Sequence, residues 1–293
     1  MSKLRRIGYA VFIFSLFHER LFVSIQMLQK FFLILLHRIL NLNNSYSDKT
    51  TLEQEIETLS NIPLLYEPGT RWVYSVSVDI LARIVEIVEK TSLEFQLKKR
   101  IFGPLEMKNT GFSINLNDQK LMTSYHYNHI SNQLVKPNVN PRYISNYGYP
   151  TNGKNYARGG VGLYSTANDY LKFAEMLQTG LSQKGEKIIS IEFLKSATQN
   201  QIPNSFIPYQ IKNFDIKDLD ENVFDPYGWG YGFRVYIKNS YFKNKGEFGW
   251  GGAASTYFLV DCKHKLSAVL MTQVFQGDSG LHKDFYNFIY SQL

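Results

Sequence analysis

The spacing of apolar residues predicts helices in the first two thirds of the chain. After Ser77, which is a suitable N-cap, apolar side chains recur with helical spacing through the following turns. A second helix is predicted after Thr166, because Thr166 and Asp169 have the spacing of a capping box. A short helix is expected over residues 51–59 and a last helix over residues 281–293.

Beyond about residue 227 the apolar period changes to that of strands. Three strands are predicted, over residues 231–237, 256–261 and 266–273, with turn-rich pieces between them. Helices in the middle of a chain and hairpin-linked strands near its end are typical of an α+β fold. We therefore expect an antiparallel sheet flanked by helices.

The N-terminal segment differs in composition from everything after it. Its two apolar stretches, residues 7–17 and 21–40, are each shorter than the roughly 18 uncharged residues of a membrane-spanning helix or are interrupted by charges. Three interpretations remain open: an interfacial membrane anchor through residues 7–40, an export signal without a cleavage site, or an aberrant start of the chain. The chain is accordingly divided into an atypical segment, residues 1–45, and a domain, residues 46–293.

Composition and charge exclude several classes of protein. Of 293 residues 44% are hydrophobic and 15% aromatic, which is too apolar for a disordered chain. The net charge of +7 is concentrated in residues 1–45, which hold six basic residues and one acidic residue, so the domain carries no basic stripe for nucleic acid. Cys262 is the single cysteine, and no His or Cys pair has metal-ligand spacing. We predict neither a metal nor a cofactor, and the sequence does not indicate an oligomeric state.

Four segments follow one another in an order typical of one family. Residues 63–81 contain Pro68-Gly69-Thr70, Trp72 and Tyr74-Ser75, and the other segments are residues 101–110, 159–170 and 249–261. Together they resemble the serine β-lactamase-related family, which includes class C β-lactamases, D-alanyl-D-alanine carboxypeptidases and lactamase-fold esterases. The resemblance covers roughly residues 50–293 and implies the β-lactamase/transpeptidase fold, with an incomplete N-terminal part.

The resemblance also implies a chemistry, which is acyl transfer through a serine nucleophile in a Ser-x-x-Lys motif. It assigns Tyr74 as the tyrosine that moves a proton. It places Trp250, Gly251 and Gly252 on the strand that binds substrate, and the N–H of Ala253 as a donor to the oxyanion. The alternatives are a core tyrosine before a helix and a bulge in a glycine-rich strand.

Other positions in the family pattern bear on the substrate. Gly159 and Gly160 are interpreted as a loop beside the site, with a simple helix start as the alternative. Val76 stands where penicillin-recognising members have Asn, and Trp250 stands where a cationic residue is usual. The first difference argues against a lactamase, and the second removes a partner for a substrate carboxylate and resembles the esterase branch. Taken together, the motifs are most similar to the esterase or carboxypeptidase branches, which act on a small ester or amide.

The nucleophile is the main departure from the family pattern. The one Ser-x-x-Lys begins at Ser240, downstream of Tyr74 and between two predicted strands, where an exposed turn residue is expected. We expect the segment with the catalytic Ser and Lys to be lost, replaced by an atypical start, or supplied by another polypeptide. Residues 277–280 spell Gly-Asp-Ser-Gly, a protease motif, but only a predicted helix follows them, which indicates a chance loop.

Three functional hypotheses result. The first is a serine hydrolase of the family, and the second is a non-catalytic protein of the same fold that binds a ligand or partner in its cleft. The third, a membrane-anchored interaction protein, rests on residues 7–40 and would place the protein at a membrane.

Overall fold

The structure, a computed structural model, describes residues 51–64, 69, 72, 76–113, 122–128, 130–136, 157–203, 227–239, 243–275 and 280–293. The N-terminal segment, including residues 7–40, lies outside these residues, so the interpretations made for it stay predictions. Within the described part of the chain, no helix combines the length and the apolar character needed to cross a membrane.

Helices and strands occupy both halves of the described chain. The helices are α1 (Leu52–Ser60), α2 (Ser77–Glu89), α3 (Leu93–Leu97), α4 (Ala167–Thr179), α5 (Ile191–Ala197) and α6 (Gly280–Tyr290), with a π-helical turn (Lys98–Phe102) directly after α3. The strands are β1 (Tyr125–Asn128), β2 (Gln133–Val135), β3 (Tyr227–Trp229), β4 (Arg234–Tyr236), β5 (Phe248–Gly251), β6 (Tyr257–Asp261), β7 (Leu266–Leu270) and β8 (Val274–Phe275).

The starts of α2 and α4 test the two predicted caps, and α1 has a cap that was not predicted. Thr51 caps α1 through a complete capping box with Gln54, and the Thr166 side chain caps α4. The prediction for α2 was wrong in one detail, because Val76 is the N-cap and Ser77 is the first helical residue. The Ser77 hydroxyl is buried and makes no hydrogen bond within the described residues. Its position in the first turn, and not before it, explains why it does not cap.

The strands form two sheets. The larger sheet is antiparallel throughout, and its spatial order β3-β4-β5-β6-β7 is also the chain order. The smaller sheet has the order β2-β1-β8, in which β1 is antiparallel to β2 and parallel to β8. The predicted α+β fold with an antiparallel sheet is confirmed, whereas the smaller sheet and β3 were not predicted.

Helices cover both faces of the larger sheet. On one face α4 packs against β6 and β7, and the ring of Tyr170 contacts the ring of Phe258 at 5.3 Å. On the other face α6 packs on Leu259 and Ala268. Because neighbouring strand residues point to opposite faces, Phe258 and Leu259 belong to separate apolar clusters. Burial of these clusters, at about 25 cal/mol per Å² of apolar surface, is the main force that holds the layers together.

Two of the family-like segments are joined next to α4. The carboxylate of Asp169 accepts hydrogen bonds from the backbone N–H of Asn109, at 2.7 Å, and from the hydroxyl of Thr110, at 3.1 Å. Gly111 and Tyr164 form an isolated antiparallel bridge beside them. These bonds fix the segment over residues 101–110 against the start of α4.

A chain of hydrogen bonds fastens α6 to the sheet. Arg234 donates to the hydroxyl of Tyr257, which lies 2.9 Å from the hydroxyl of Tyr286. Tyr286 donates to Glu247 at 2.6 Å, and Tyr290 donates to the other oxygen of the same carboxylate. Burial raises the pKa of Glu247 to about 7, although the two tyrosine hydroxyls oppose that shift by stabilising the anion.

Candidate active site

The end of β5 is the strand that the sequence assigns to substrate binding. Trp250 and Gly251 lie in β5, opposite Phe258 and Tyr257 of β6, in a continuous register without a bulge. Strand β4 pairs with β5 only as far as Gly249. Among the described strands, the last two residues of β5 therefore pair with β6 alone.

The residues after β5 form a tight turn. Gly252 donates its N–H to the carbonyl of Thr256 at 2.8 Å, and its own carbonyl accepts from the N–H of Ser255 at 3.0 Å. Ala253 is exposed in this turn, and its N–H makes no hydrogen bond within the described residues. The prediction that Gly252 lies in the strand was one residue too long. The Ala253 N–H is thus available to a ligand at the strand end.

Three tryptophan rings lie in contact beside this strand end. The centroids of the Trp229 and Trp250 rings are 4.5 Å apart with an edge-to-face angle of 80°, and those of Trp72 and Trp229 are 5.0 Å apart. Aromatic pairs favour tilted and edge-to-face arrangements of this kind. Trp72 precedes Tyr74 by two residues, and these contacts link Trp72 through Trp229 to Trp250 near the end of β5.

Trp229 is held by hydrogen bonds on one side of β3 and by strand pairing on the other. Its N–H donates to the side-chain oxygen of Asn200 at 3.0 Å, and its carbonyl accepts from the N–H of Gln201 at 2.8 Å. On the other side, Trp229 is paired with Arg234 in β4. The ring of Trp229 is 3% exposed, whereas those of Trp72 and Trp250 are half-buried.

The glycine loop lies on the first turn of α2. The N–H of Gly160 donates to the carboxylate of Asp79 at 3.0 Å. A Cβ atom on Gly159 would lie 2.0 Å from the carbonyl oxygen of Val78, so only glycine permits this approach. Gly159 and Gly160 therefore form a loop that packs closely on α2, and their role in a reaction stays a prediction.

Buried charged side chains lie next to the glycine loop where it packs on α2. Arg158 and Glu55 form a buried ion pair at 2.8 Å, with 9% and 1% of their side chains exposed. Burial raises the pKa of Asp79 to about 7, and the negative charge of Glu55 adds to the rise. The N–H of Gly160 and the charge of Arg158 oppose it. The carboxyl of Asp79 therefore changes from its protonated to its ionised form near neutral pH.

The structure fixes the described residues on either side of Tyr74. Trp72 is fixed by Trp229 on one side, and the start of α2 is fixed by the glycine loop on the other. Tyr74 and Ser240 lie outside the described residues, and so do residues 277–279 of the protease-like motif. The assigned role of Tyr74 and the expectation for Ser240 therefore stay predictions.

Sequence reasoning missed Trp229, Asp79 and Arg158. A signal for Trp229 existed, because it lies between two glycines just before a predicted strand. Asp79 is an acidic residue within an apolar helical pattern, which also marks a buried charge that needs partners. In the described part of the chain, no group of three or more His, Cys, Asp or Glu residues is arranged to hold a metal ion.

Comparison with known proteins gives the family. The sequence profile of the family described as Beta-lactamase matches residues 40–289. This range is well over half of the chain, and the chain therefore belongs to the β-lactamase family. The resemblance inferred from the four segments is confirmed.

Individual relatives are distant and include an esterase. The chain is 24% identical over 233 residues to protein Rv1367c of Mycobacterium tuberculosis, covering 74% of this chain and 52% of that protein. It is 21% identical over 246 residues to esterase EstB of Burkholderia gladioli, covering 78% of this chain and 56% of the esterase. The chain thus spans about half the length of these relatives.

A solved structure has the same fold. Simvastatin synthase (LovD) from Aspergillus terreus, in its LovD6 mutant form, superposes with a TM-score of 0.68 at 15% identity, covering 100% of this chain and 82% of that one. At this identity the likeness concerns the fold alone. It confirms the β-lactamase-type fold expected from the sequence.

Proposed function

We propose that this chain is a serine hydrolase that cleaves small esters or amides through an acyl-serine intermediate. The observation that supports the proposal is that Trp72, two residues before Tyr74, is linked through Trp229 to the strand end at Trp250, while the start of α2, after Tyr74, is bonded to the glycine loop. An esterase among the relatives, EstB, supports ester substrates. Trp250 in place of a cationic residue also favours an uncharged ester over a substrate with a free carboxylate.

The proposed roles follow from acyl-transfer chemistry. The serine hydroxyl attacks the carbonyl carbon, and Tyr74 accepts its proton and returns it to the leaving alcohol or amine. The N–H of Ala253 donates to the oxygen on which negative charge develops. Water then cleaves the acyl-serine and releases the acid. Since the one Ser-x-x-Lys motif starts at Ser240, on the wrong side of Tyr74, the experiment has to locate the nucleophile.

The test uses the full 293-residue chain and a fluorophosphonate probe. We expect one adduct per chain by intact mass, and peptide mapping identifies the serine that carries it. In parallel, hydrolysis of p-nitrophenyl butyrate is measured. Tyr74→Phe should lower kcat by about 100-fold, the typical contribution of a general acid-base group. Ser240→Ala is the matched control and should leave turnover unchanged.

Three results would contradict these expectations. Unchanged turnover in Tyr74→Phe would contradict the role of Tyr74, and an inactive Ser240→Ala would show that the site is misplaced. A folded sample with neither adduct nor turnover would overturn the hydrolase proposal for this chain.

A second function is favoured by the position of the Ser-x-x-Lys motif. A chain of this fold without an activated serine would bind a ligand in the same cleft without cleaving it. Saturable binding of p-nitrophenyl butyrate, with full recovery of the ester after incubation, is the result expected for this function.

A further inference from the structure

All three tryptophans of the chain lie in one cluster. Trp229 is in ring contact with both Trp72 and Trp250, and it is the buried member of the three. The two outer rings are half-buried and come from different parts of the fold, the Tyr74 segment and the end of β5. Trp229 is therefore the one indole that joins them.

Strand β3 gives Trp229 a fixed position. Its backbone is bonded to the 200–201 loop on one side and paired with β4 on the other. Because the position of Trp229 is fixed, its indole limits the orientations that the neighbouring ring of Trp250 can adopt. Trp250, in the part of β5 that pairs with β6 alone among the described strands, has its ring against Trp229 and against the apolar core.

We infer that Trp229 is a positioning residue, which fixes the indole of Trp250 and with it an apolar subsite for the uncharged acyl group of an ester. The inference rests on the proposed function, because the subsite lies at the same strand end. A half-buried indole offers a large apolar face and few rotatable bonds, which suits an alkyl or aryl group. A side chain that must be immobilised on binding weakens affinity by roughly two- to tenfold, and the contact with Trp229 removes that cost.

The binding test needs no hydrolysis. The probe is p-nitrophenyl hexyl ether, which has no scissile carbonyl and quenches tryptophan fluorescence. Its charged counterpart is 6-(4-nitrophenoxy)hexanoate, which differs by a terminal carboxylate. We expect the full chain to bind the ether at least tenfold more tightly than the carboxylate. Trp229→Leu should weaken ether binding by about fivefold or more, and Trp229→Phe should restore most of it because the ring contact persists.

A double-mutant cycle separates positioning from general stability. If Trp229 acts through Trp250, then Trp229→Leu should have no further effect on ether binding in a Trp250→Leu background. Circular dichroism adds a structural readout, since indoles in contact give a paired exciton signal in the far-UV region that Trp229→Phe should abolish, while a cooperative thermal unfolding transition shows that the variant is folded. Additive losses in the cycle would overturn the inference.

Ester kinetics give an independent readout. For p-nitrophenyl esters of increasing acyl length, KM should fall by up to about fourfold per methylene in the native chain. Trp229→Leu should flatten this dependence of KM on acyl length. Equal chain-length dependence in both proteins would refute the inference even if hydrolysis is confirmed. Ether binding that depends on Trp229, in a chain that hydrolyses nothing, would support the inference and refute the hydrolase proposal.

Discussion

Replacing Asp79 with Asn removes a buried charge and keeps an acceptor for the N–H of Gly160. In the native protein burial, together with the charge of Glu55, raises the pKa of Asp79 from 3.8 to about 7. A carboxyl whose pKa is higher in the folded state keeps its proton longer there than in the unfolded chain. The folded state therefore loses stability as the pH rises from about 4 to about 7, and the loss is complete above that range.

The size of the effect follows from the shift. About three pK units at 1.36 kcal/mol each amount to roughly 4 kcal/mol between pH 4 and pH 8, of which about 3 kcal/mol falls between pH 5 and pH 8. Asp79→Asn has no ionisable group at this position, so it does not lose this stability as the pH rises. We expect the free energy of unfolding of Asp79→Asn, relative to that of the native protein, to increase by about 3 kcal/mol from pH 5 to pH 8, so that the variant becomes relatively more stable. Glu247 has a pKa raised to about 7 as well, but its contribution is common to both proteins and cancels.

The assay is urea unfolding at pH 5 and pH 8, followed by circular dichroism. Asp79→Ala is the companion variant, because it removes the charge and also the acceptor for Gly160. It should be less stable than Asp79→Asn at both pH values by about 0.5–1.5 kcal/mol, the usual net contribution of a hydrogen bond such as the one from the N–H of Gly160. Native and Asn proteins whose unfolding free energies change in parallel from pH 5 to pH 8 would refute the reasoning.

Two further variants test other parts of the fold. Tyr286→Phe removes the donor to Glu247 and should lower the free energy of unfolding by about 2–4 kcal/mol, whereas Phe288→Ala on the same helix, exposed at 66%, should cost much less. Thermal unfolding measures both, and equal losses would contradict the role given to the hydroxyl. Gly159→Ala should cost about 1–3 kcal/mol, because its Cβ atom meets a backbone carbonyl of α2. Gly111→Ala, with no atom within 4 Å of its Cβ, should change stability by no more than about 0.5 kcal/mol in urea unfolding, and a matching loss at both glycines would rule out the clash.

Elements with a strong local period were predictable from the sequence. The apolar spacing after Ser77 predicted α2, and the Thr166 cap predicted α4. The predicted strands over residues 231–237, 256–261 and 266–273 correspond to β4, β6 and β7, with ends that differ by up to three residues. The small sheet was missed because a parallel pairing between β1 and β8 joins residues about 150 positions apart, and no local pattern records it.

The candidate site was predictable only in part. The resemblance placed Trp250 and Gly251 on a strand, and the structure has both in β5, while their role in a site stays a prediction. The contacts of Trp229 with Trp72 and Trp250, and of Asp79 with the glycine loop, depend on tertiary packing between distant segments. The spacing of residues along the sequence does not predict such contacts. The pKa of Asp79 likewise depends on burial, which its position in a helix does not reveal.

The larger sheet, in which chain order and spatial order coincide, has a consequence for synthesis. Its strands all follow residue 226, yet the apolar faces of α2 and α4 share one cluster with Phe258 and Val260. The helices therefore leave the ribosome well before the strands that cover them. Until β6 and β7 emerge, the growing chain exposes apolar helix faces of the kind that chaperones recognise. These helices and strands can therefore complete their packing only after the last quarter of the polypeptide, which contains the strands, has been synthesised.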